Sequence, residues 1–400
     1  MPPDPSPWPP ELRAFLTRFG VVEGATLGPW TLARAALGGR VVELTFAQGE
    51  HVVVTRIAER DASKPCFGTT ESFNLSYGRV GSELEPLVKP LMFSLAEIVR
   101  AHDPGGLRVP LPAQRDAGTA DFGFADVHVD DLARYPDAMY EMFGRRMDVM
   151  IVRGVFSAAQ AAAIVARLEA PGGGYRWKPN VQTDSTDHEQ PYNLGEVLIP
   201  TRRCPDGPEL ATYFDEAAEF RRVAADLFAG GLPFEGRVEE VLARVAGGRR
   251  VSIPRGPAGE HYTPATVRAI PTGGELALHV GNYFKDHGAY RHLRTFVDLD
   301  DQLSYFVTLQ PPDEGGEIEV YSLEWASTDR PLRGGGEIDA EAVARDWPSV
   351  KYRPGAGDMF LFDGGRYYHR VCPTRGPRTR WTIGGFVTIS RDHDEYFYWS

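Results

Sequence analysis

The feature that most restricts the fold is a series of short strand-like segments in the last third of the chain. From about residue 268 onward, β-branched and aromatic stretches alternate with clusters of Gly, Pro and Asp. The stretches are ELALHVGNYF, QLSYFVTLQ, GEIEVYSLEW, MFLFDG and RTRWTIGGFVTIS. Several short strands in succession, separated by turn residues, favour a sandwich, a barrel or a jelly roll.

The first part of the chain has a different texture. Residues 11–19 and 90–101 have helical patterns, and residues 41–46 and 51–57 read as two strands joined by the hairpin loop AQGE. A Gly-, Pro- and Asp-rich stretch, DPGGLRVPLPAQRDAGTADFG, follows. We therefore expect a small α+β N-terminal domain of unknown role over residues 1–120.

The second domain, residues 121–400, is expected to be mainly β with flanking helices. A helix is predicted over residues 157–170, where Ser157 is a suitable N-cap and PGGG ends the pattern. A second helix is predicted over residues 209–229.

The charge balance excludes some classes of partner. The chain has 55 acidic and 43 basic residues, a formal net charge of -12 at pH 7, so nucleic acid and anionic membranes would be repelled over most of the surface. We expect a small-molecule substrate, free or carried on another protein. The sequence has no apolar run of about 20 residues and no signal-peptide pattern at its start, which predicts a cytoplasmic protein. It gives no indication of the oligomeric state.

Two histidines stand in the strand-rich region. His279 and His369 are 369 - 279 = 90 residues apart, a separation at which a jelly roll can place two strands side by side. Imidazoles are natural ligands for Fe(II). A random pair of histidines is more often structural, and here the surrounding residues decide the interpretation.

Residues 268–390 resemble the catalytic core of the iron(II)/2-oxoglutarate oxygenases of the prolyl-hydroxylase-like kind. The matching pieces are, in chain order, the strand with His279, SYFVTLQ, paired glycines Gly315 and Gly316, PGAGDMFLF with Gly357 and Asp358, His369, and Arg378 nine residues later. Each piece is weak alone, whereas the ordered set is specific. The resemblance implies a double-stranded β-helix (jelly roll) as the fold.

The resemblance also implies cofactors. His279 and His369 would bind Fe(II), which leaves positions for 2-oxoglutarate and O2. The distal carboxylate of 2-oxoglutarate requires a bidentate cation, for which Arg378 is the first candidate and Arg380 the second. Tyr305 and Thr308 lie on the strand that often donates hydroxyl groups to 2-oxoglutarate in this family, although a buried tyrosine is as often part of the core.

The chain departs from the family at residue 281. The usual motif is His-x-Asp or His-x-Glu, but this chain has Gly281 two residues after His279. In this respect it resembles the halogenase subgroup, in which Ala or Gly replaces the acid and chloride takes the vacated ligand position. That resemblance implies chlorination of an unactivated carbon, as in natural-product biosynthesis. Asn282 and Tyr283 follow directly and are candidates for hydrogen bonds to the halide.

Alternatives remain open from the sequence. Water could take the vacated position and give a hydroxylase, or Asp286 or Glu275 could supply a carboxylate from elsewhere. The chain could also be a non-catalytic binding protein with a degenerate site. A literal His-x-Asp at His128 lies outside the strand-rich region, where Asp130 or the next aspartate is predicted to cap a helix.

Overall fold

The computed structural model describes residues 25–38, 41–49, 51–59, 73–77, 91, 122–171, 175–179, 191–198, 209–333 and 336–400. The chain divides into two compact units, Met1–Leu111 with Asp392–Asp394, and Pro112–Arg391 with Glu395–Ser400. The predicted boundary near residue 120 falls outside the described residues and stays a prediction.

The first unit contains an antiparallel sheet whose strands pair in chain order. They are β1 (Thr26–Leu27), β2 (Trp30–Gly38), β3 (Val41–Gln48), β4 (His51–Glu59) and β5 (Phe73–Tyr77). The predicted hairpin is confirmed, since Gln48 pairs with His51 and Gly49 turns the chain at a φ of +57°. The helices predicted over residues 11–19 and 90–101 lie outside the described residues, apart from Leu91.

The described part of the second unit is built mainly from strands. They are β6 (Phe124–His128), β7 (Val149–Arg153), β8 (Trp177–Pro179), β9 (Tyr192–Leu194), β10 (Arg250–Ser252), β11 (Thr266–Ile270), β12 (Leu276–His279), β13 (Leu303–Gln310), β14 (Glu314–Gly315), β15 (Ile318–Glu324), β16 (Ser349–Tyr352), β17 (Met359–Phe362), β18 (Tyr367–Val371), β19 (Thr374–Arg375), β20 (Arg380–Ile389) and β21 (Glu395–Trp399). The α-helices are α1 (Ala138–Phe143), α2 (Ala158–Leu168), α3 (Leu210–Leu227), α4 (Phe234–Arg244) and α5 (Ala340–Asp346).

Two sheets form the core of this unit. The larger sheet has the order β6-β7-β17-β13-β20-β11-β9-β8, with β21 on β20 and β10 on β21, and the smaller has the order β12-β18-β15-β16. Side chains of the large sheet, such as Ile151 and Phe360, pack in one buried cluster with Ile318 and Val320 of the small sheet. Two sheets that enclose a common core between them confirm the predicted jelly roll.

Both predicted helices of this unit are present, but one of the predicted helix caps is not. The two predicted helices are confirmed as α2, where Ser157 accepts a hydrogen bond from the backbone N–H of Gln160, and α3. The predicted cap at Asp130 is wrong: Val129–Arg134 is a 3-10 turn, and His128 is its N-cap. No helix among the described residues has the length and apolarity needed to cross a bilayer.

Candidate metal centre

The two histidines of the sequence motif meet on neighbouring strands of the small sheet. His279 ends β12 and pairs in register with His369 of β18. Their ring centroids are 4.2 Å apart, and both rings line one cavity between the two sheets. Residues 90 positions apart in the sequence are therefore placed together by antiparallel pairing.

The hydrogen bonds of the two rings leave the same nitrogen of each ring available. Nδ1 of His279 lies 2.7 Å from the carbonyl oxygen of Ala277, and Nδ1 of His369 lies 2.9 Å from that of Tyr367. A carbonyl oxygen only accepts, so Nδ1 carries the proton in both rings and Nε2 keeps its lone pair. In metal-binding histidines, a hydrogen bond from the ring nitrogen that does not bind the metal fixes the tautomer and the orientation of the ring.

Burial keeps both imidazoles neutral. It lowers the pKa of His279 to about 4 and, together with the neighbouring His279, lowers the pKa of His369 well below its ordinary value. Only neutral imidazole binds a metal ion, so these rings need no deprotonation at neutral pH. The two side chains therefore fit the two-histidine part of an iron site.

Gly281 lies beside the histidines and also lines the cavity. A Cβ added at this residue would lie 3.1 Å from Cα of Gly365 and 3.2 Å from the carbonyl oxygen of Gly364, so even the first atom of a side chain would be tightly enclosed. Its backbone N–H donates to Gly364. Residues 364 and 365 thus pack against one side of Gly281, while its other side faces the cavity.

No carboxylate side chain among the described residues replaces the missing acid. The cavity lining contains no Asp or Glu side chain, and the described part of the chain has no group of three or more His, Cys, Asp or Glu that could hold a metal ion. Asp286 is exposed and 3.7 Å from the guanidinium of Arg294, and Glu275 is exposed outside the cavity. Neither lies where the sequence alternative requires it.

The two candidate arginines are separated by the structure. Arg378 lies before β20, is half exposed, and donates from Nε to Asp313 over 2.6 Å, outside the cavity. Arg380, the first residue of β20, is buried, lines the cavity, and donates from Nε to the carbonyl oxygen of Gly316. Of these two, only Arg380, the second choice from the sequence, faces the histidines' cavity, whereas Arg378, the first choice, lies outside it.

The paired glycines supply the backbone acceptor to which Arg380 donates. Gly315 and Gly316 have φ values of +69° and +65°, a conformation that side chains rarely adopt. A Cβ on Gly315 would lie 2.0 Å from the carbonyl oxygen of Pro373. The turn thereby brings the carbonyl of Gly316 to the guanidinium of Arg380.

Sequence reasoning missed a second arginine in the cavity, Arg268 of β11. Its Nε donates to Asn193 over 3.3 Å, and burial alone lowers its pKa to about 10. Arg268 pairs in register with Thr382, so it lies on the same sheet face as Arg380, one diagonal step away. The signal in the sequence was a single cation within the apolar strand TVRAI.

The remaining residues that the sequence proposed as partners of 2-oxoglutarate or the halide contribute little to the cavity. Tyr305 touches the cavity, but its hydroxyl donates to the carbonyl of Pro264 over 2.7 Å and its ring packs against Tyr398, so it serves the core. Thr308 is buried and lies outside the cavity lining. Tyr283 is exposed at 59%, also outside the lining.

Asn282 does not line the cavity, and its amide bonds to a neighbouring turn. Its Nδ2 donates to Oδ1 of Asp301, and its Oδ1 accepts from the backbone N–H of Asp301, each over 2.8 Å. This amide braces the turn after β12, and its predicted contact with a halide stays a prediction.

The rest of the cavity wall is largely apolar. Its aromatic and aliphatic members come from both sheets and from the 191–198 segment; they include Val197, Phe284, Phe306, Ile318, Phe362 and Phe386. Hydroxyl groups are supplied by Thr266, Ser304 and Thr382. The cavity thus combines two neutral imidazoles, two cations and an apolar wall.

Comparisons with known proteins give one family match and several similar solved structures. The family model described as carrier-protein-independent halogenase WelO5 matches residues 121–400. Similar solved structures include a 2OG-Fe(II) oxygenase family oxidoreductase from Burkholderia pseudomallei, with 14% identity, a TM-score of 0.31, and coverage of 68% of this chain and 97% of that one. A Pseudomonas putida prolyl-4-hydroxylase has 14% identity, a TM-score of 0.29, and coverage of 64% and 95%.

An N-substituted L-amino acid dioxygenase in complex with alpha-KG, from Burkholderia ambifaria AMMD, has 16% identity, a TM-score of 0.37, and coverage of 65% and 90%. Among curated proteins, none matches this chain.

Proposed function

This chain belongs to the carrier-protein-independent halogenase family, within the iron(II)/2-oxoglutarate-dependent oxidoreductases, and we propose that it transfers chloride to an unactivated carbon of a free small molecule. One observation carries the proposal. His279 and His369 share a cavity that Gly281 also lines and whose lining has no carboxylate side chain.

Fe(II) would be held by Nε2 of His279 and of His369. When bound with O2 and 2-oxoglutarate, it supplies the oxidising power for removing hydrogen from carbon. The protein's contribution is to keep both imidazoles neutral and oriented, through burial and through the carbonyls of Ala277 and Tyr367. These features fit a resident metal and would serve little purpose in a degenerate binding protein.

The distal carboxylate of 2-oxoglutarate would bind Arg380, with Arg268 as its neighbour. Burial is the main cause that lowers the pKa of Arg380 to about 9, and the like charge of Arg268 is the second. Two cations in a cavity lined by no Asp or Glu side chain are costly to bury, and a dianion recovers that cost. The arrangement therefore favours a strongly anionic co-substrate.

Chloride would take the position that Gly281 leaves without a ligand atom. A carboxylate there would exclude a halide by both volume and charge, whereas glycine excludes it by neither. The apolar wall formed by residues such as Phe306 and Phe386 suits a largely apolar substrate, and a match to a carrier-independent family supports one that is free in solution.

The test compares Gly281→Asp with Gly281→Ala. Both variants add the enclosed Cβ, so Ala is the control for crowding, and only Asp adds an anionic ligand. Each protein is loaded with Fe(II) and 2-oxoglutarate without O2, and its visible charge-transfer band is followed during a chloride titration. We expect a chloride response in the wild type and in Gly281→Ala, and none in Gly281→Asp.

Two results would contradict the proposal. One is a wild-type complex that does not respond to chloride, and the other is a Gly281→Asp variant that responds as Gly281→Ala does. With a substrate in hand, mass spectrometry of the products in chloride and then in bromide gives the direct check. A hydroxylated product alone would identify a hydroxylase.

A further inference from the structure

Gln302, the residue before β13, has a side chain that the structure leaves unsatisfied. It is 1% exposed, and within the described part of the chain neither Nε2 nor Oε1 has a hydrogen-bond partner. A buried amide without partners is costly, because it has lost its water and gained nothing in exchange. Such a group in a folded protein is able to bind a ligand that comes within its reach.

The amide lies directly behind Gly281. Its Nε2 is 3.2 Å from the point where a Cβ of Gly281 would stand. In an enzyme with Asp or Glu at this residue, that Cβ would separate the amide from the cavity. Glycine leaves no side-chain atom between the amide and the cavity that Gly281 lines, although Gln302 itself is not part of that lining.

The backbone around this amide is fixed. The carbonyl of Gln302 accepts from the N–H of Gly365, while Gly281 donates to the carbonyl of Gly364, each over 2.8 Å. A Cβ on Gly365 would lie 2.5 Å from the backbone nitrogen of Gln302, so the two segments are in close contact. The backbone of Gln302, from which the amide extends, is therefore held in place relative to Gly281.

The neighbouring polar groups do not satisfy this amide. The Asn282 amide is occupied at both ends by Asp301. The Tyr290 hydroxyl is near Gln302, and this offsets part of the rise that burial causes in the pKa of Tyr290, yet the hydroxyl has no hydrogen bond of good geometry. The N–H groups of Gln302 thus remain available to an anion.

We propose that the carboxamide of Gln302 donates an N–H to the halide bound beside Gly281, and so sets the affinity of the site for chloride. This inference rests on the proposed function. A neutral donor suits the position, since a carboxylate would repel the halide and an apolar side chain would leave it without a partner on this side.

The experiment uses the full chain loaded with Fe(II) and 2-oxoglutarate in the absence of O2. Wild type, Gln302→Met, Gln302→Glu and Tyr290→Phe are titrated with sodium chloride at constant ionic strength, and the charge-transfer band gives the dissociation constant for chloride. Tyr290→Phe is the matched control, because it removes a buried hydroxyl from the same pocket and leaves the amide. Gln302→Glu keeps the shape of glutamine, so a folding defect of Gln302→Met does not end the test.

We expect chloride to bind about 10-fold to 100-fold more weakly to Gln302→Met, as for loss of a hydrogen bond to a charged partner. Gln302→Glu should show no chloride response, and Tyr290→Phe should bind as the wild type does. Equal affinity in wild type and both Gln302 variants overturns the inference, as does an equal loss in Tyr290→Phe. A wild type without any chloride response instead refutes the proposed function itself.

Discussion

Arg380→Met should lower the affinity for 2-oxoglutarate and, at the same time, stabilise the protein without its co-substrate. Arg380 is 4% exposed, donates to a backbone carbonyl, and lies over the ring of Phe306 at 5.3 Å. Methionine keeps a similar length of apolar side chain and removes the charge. The two effects have opposite signs because the buried cation is costly alone and favourable with a carboxylate.

The magnitudes follow from the burial of the guanidinium. A pKa lowered from 12.5 to about 9 corresponds to a cost of about 5 kcal/mol for keeping the charge in place. Replacing a buried charge by an apolar side chain often stabilises a protein by about 1 kcal/mol or more, or about 2 °C in Tm for a domain of this size. Removing the cation that pairs with the desolvated carboxylate of 2-oxoglutarate costs about 2 to 5 kcal/mol of binding free energy. This corresponds to a loss of roughly 30-fold to several thousand-fold in the affinity for 2-oxoglutarate.

The assay has two parts and a matched control. Anaerobic titration of the Fe(II) protein with 2-oxoglutarate gives its dissociation constant from the charge-transfer band, and thermal unfolding without 2-oxoglutarate gives Tm. Arg378→Met is the control, because Arg378 is half exposed and its exposed pair with Asp313 contributes little to stability. It should leave the affinity for 2-oxoglutarate unchanged.

The reasoning would be refuted by an Arg380→Met variant that binds 2-oxoglutarate as the wild type does. If Arg378→Met loses affinity instead, the sequence-based choice was right. A loss confined to Arg268→Met would move the role to β11. A lower Tm for Arg380→Met would show that the side chain supports the fold instead of the co-substrate.

The remaining predictions concern the metal ligands and one helix cap. His279→Ala and His369→Ala should each abolish binding of Fe(II), measured by metal analysis after anaerobic gel filtration, whereas His292→Ala should retain it, since His292 pairs with the Tyr262 hydroxyl outside the cavity. Full iron binding in both ligand variants would place the metal elsewhere. Ser157→Ala should lower the free energy of unfolding by about 1 kcal/mol through loss of the α2 cap, and no change in a urea titration would contradict that role.

Local sequence patterns were enough to predict several secondary-structure elements and part of the site. The hairpin of β3 and β4, the cap at Ser157 and the two helices α2 and α3 depend on residues close in sequence, so propensity and spacing predict them. The cap at His128 shows the limit, because an aspartate two residues later was the better candidate by residue type alone.

The sequence by itself determined the chemical identities at the candidate metal centre. Two imidazoles in strand contexts, and a glycine where a carboxylate is usual, are properties of residues and not of their arrangement. The absence of a side-chain ligand atom at Gly281 holds in any fold.

Tertiary structure decided which side chains share the cavity. Alternation along an extended strand would place Arg378 and Arg380 on one face, but β20 begins only at Arg380 and Arg378 lies in the bend before it. Arg268 reaches the same cavity through pairing of β11 with β20, and Gln302 reaches Gly281 through the turn at Gly365. Contacts between residues so far apart in the chain depend on strand register, which a single sequence does not specify.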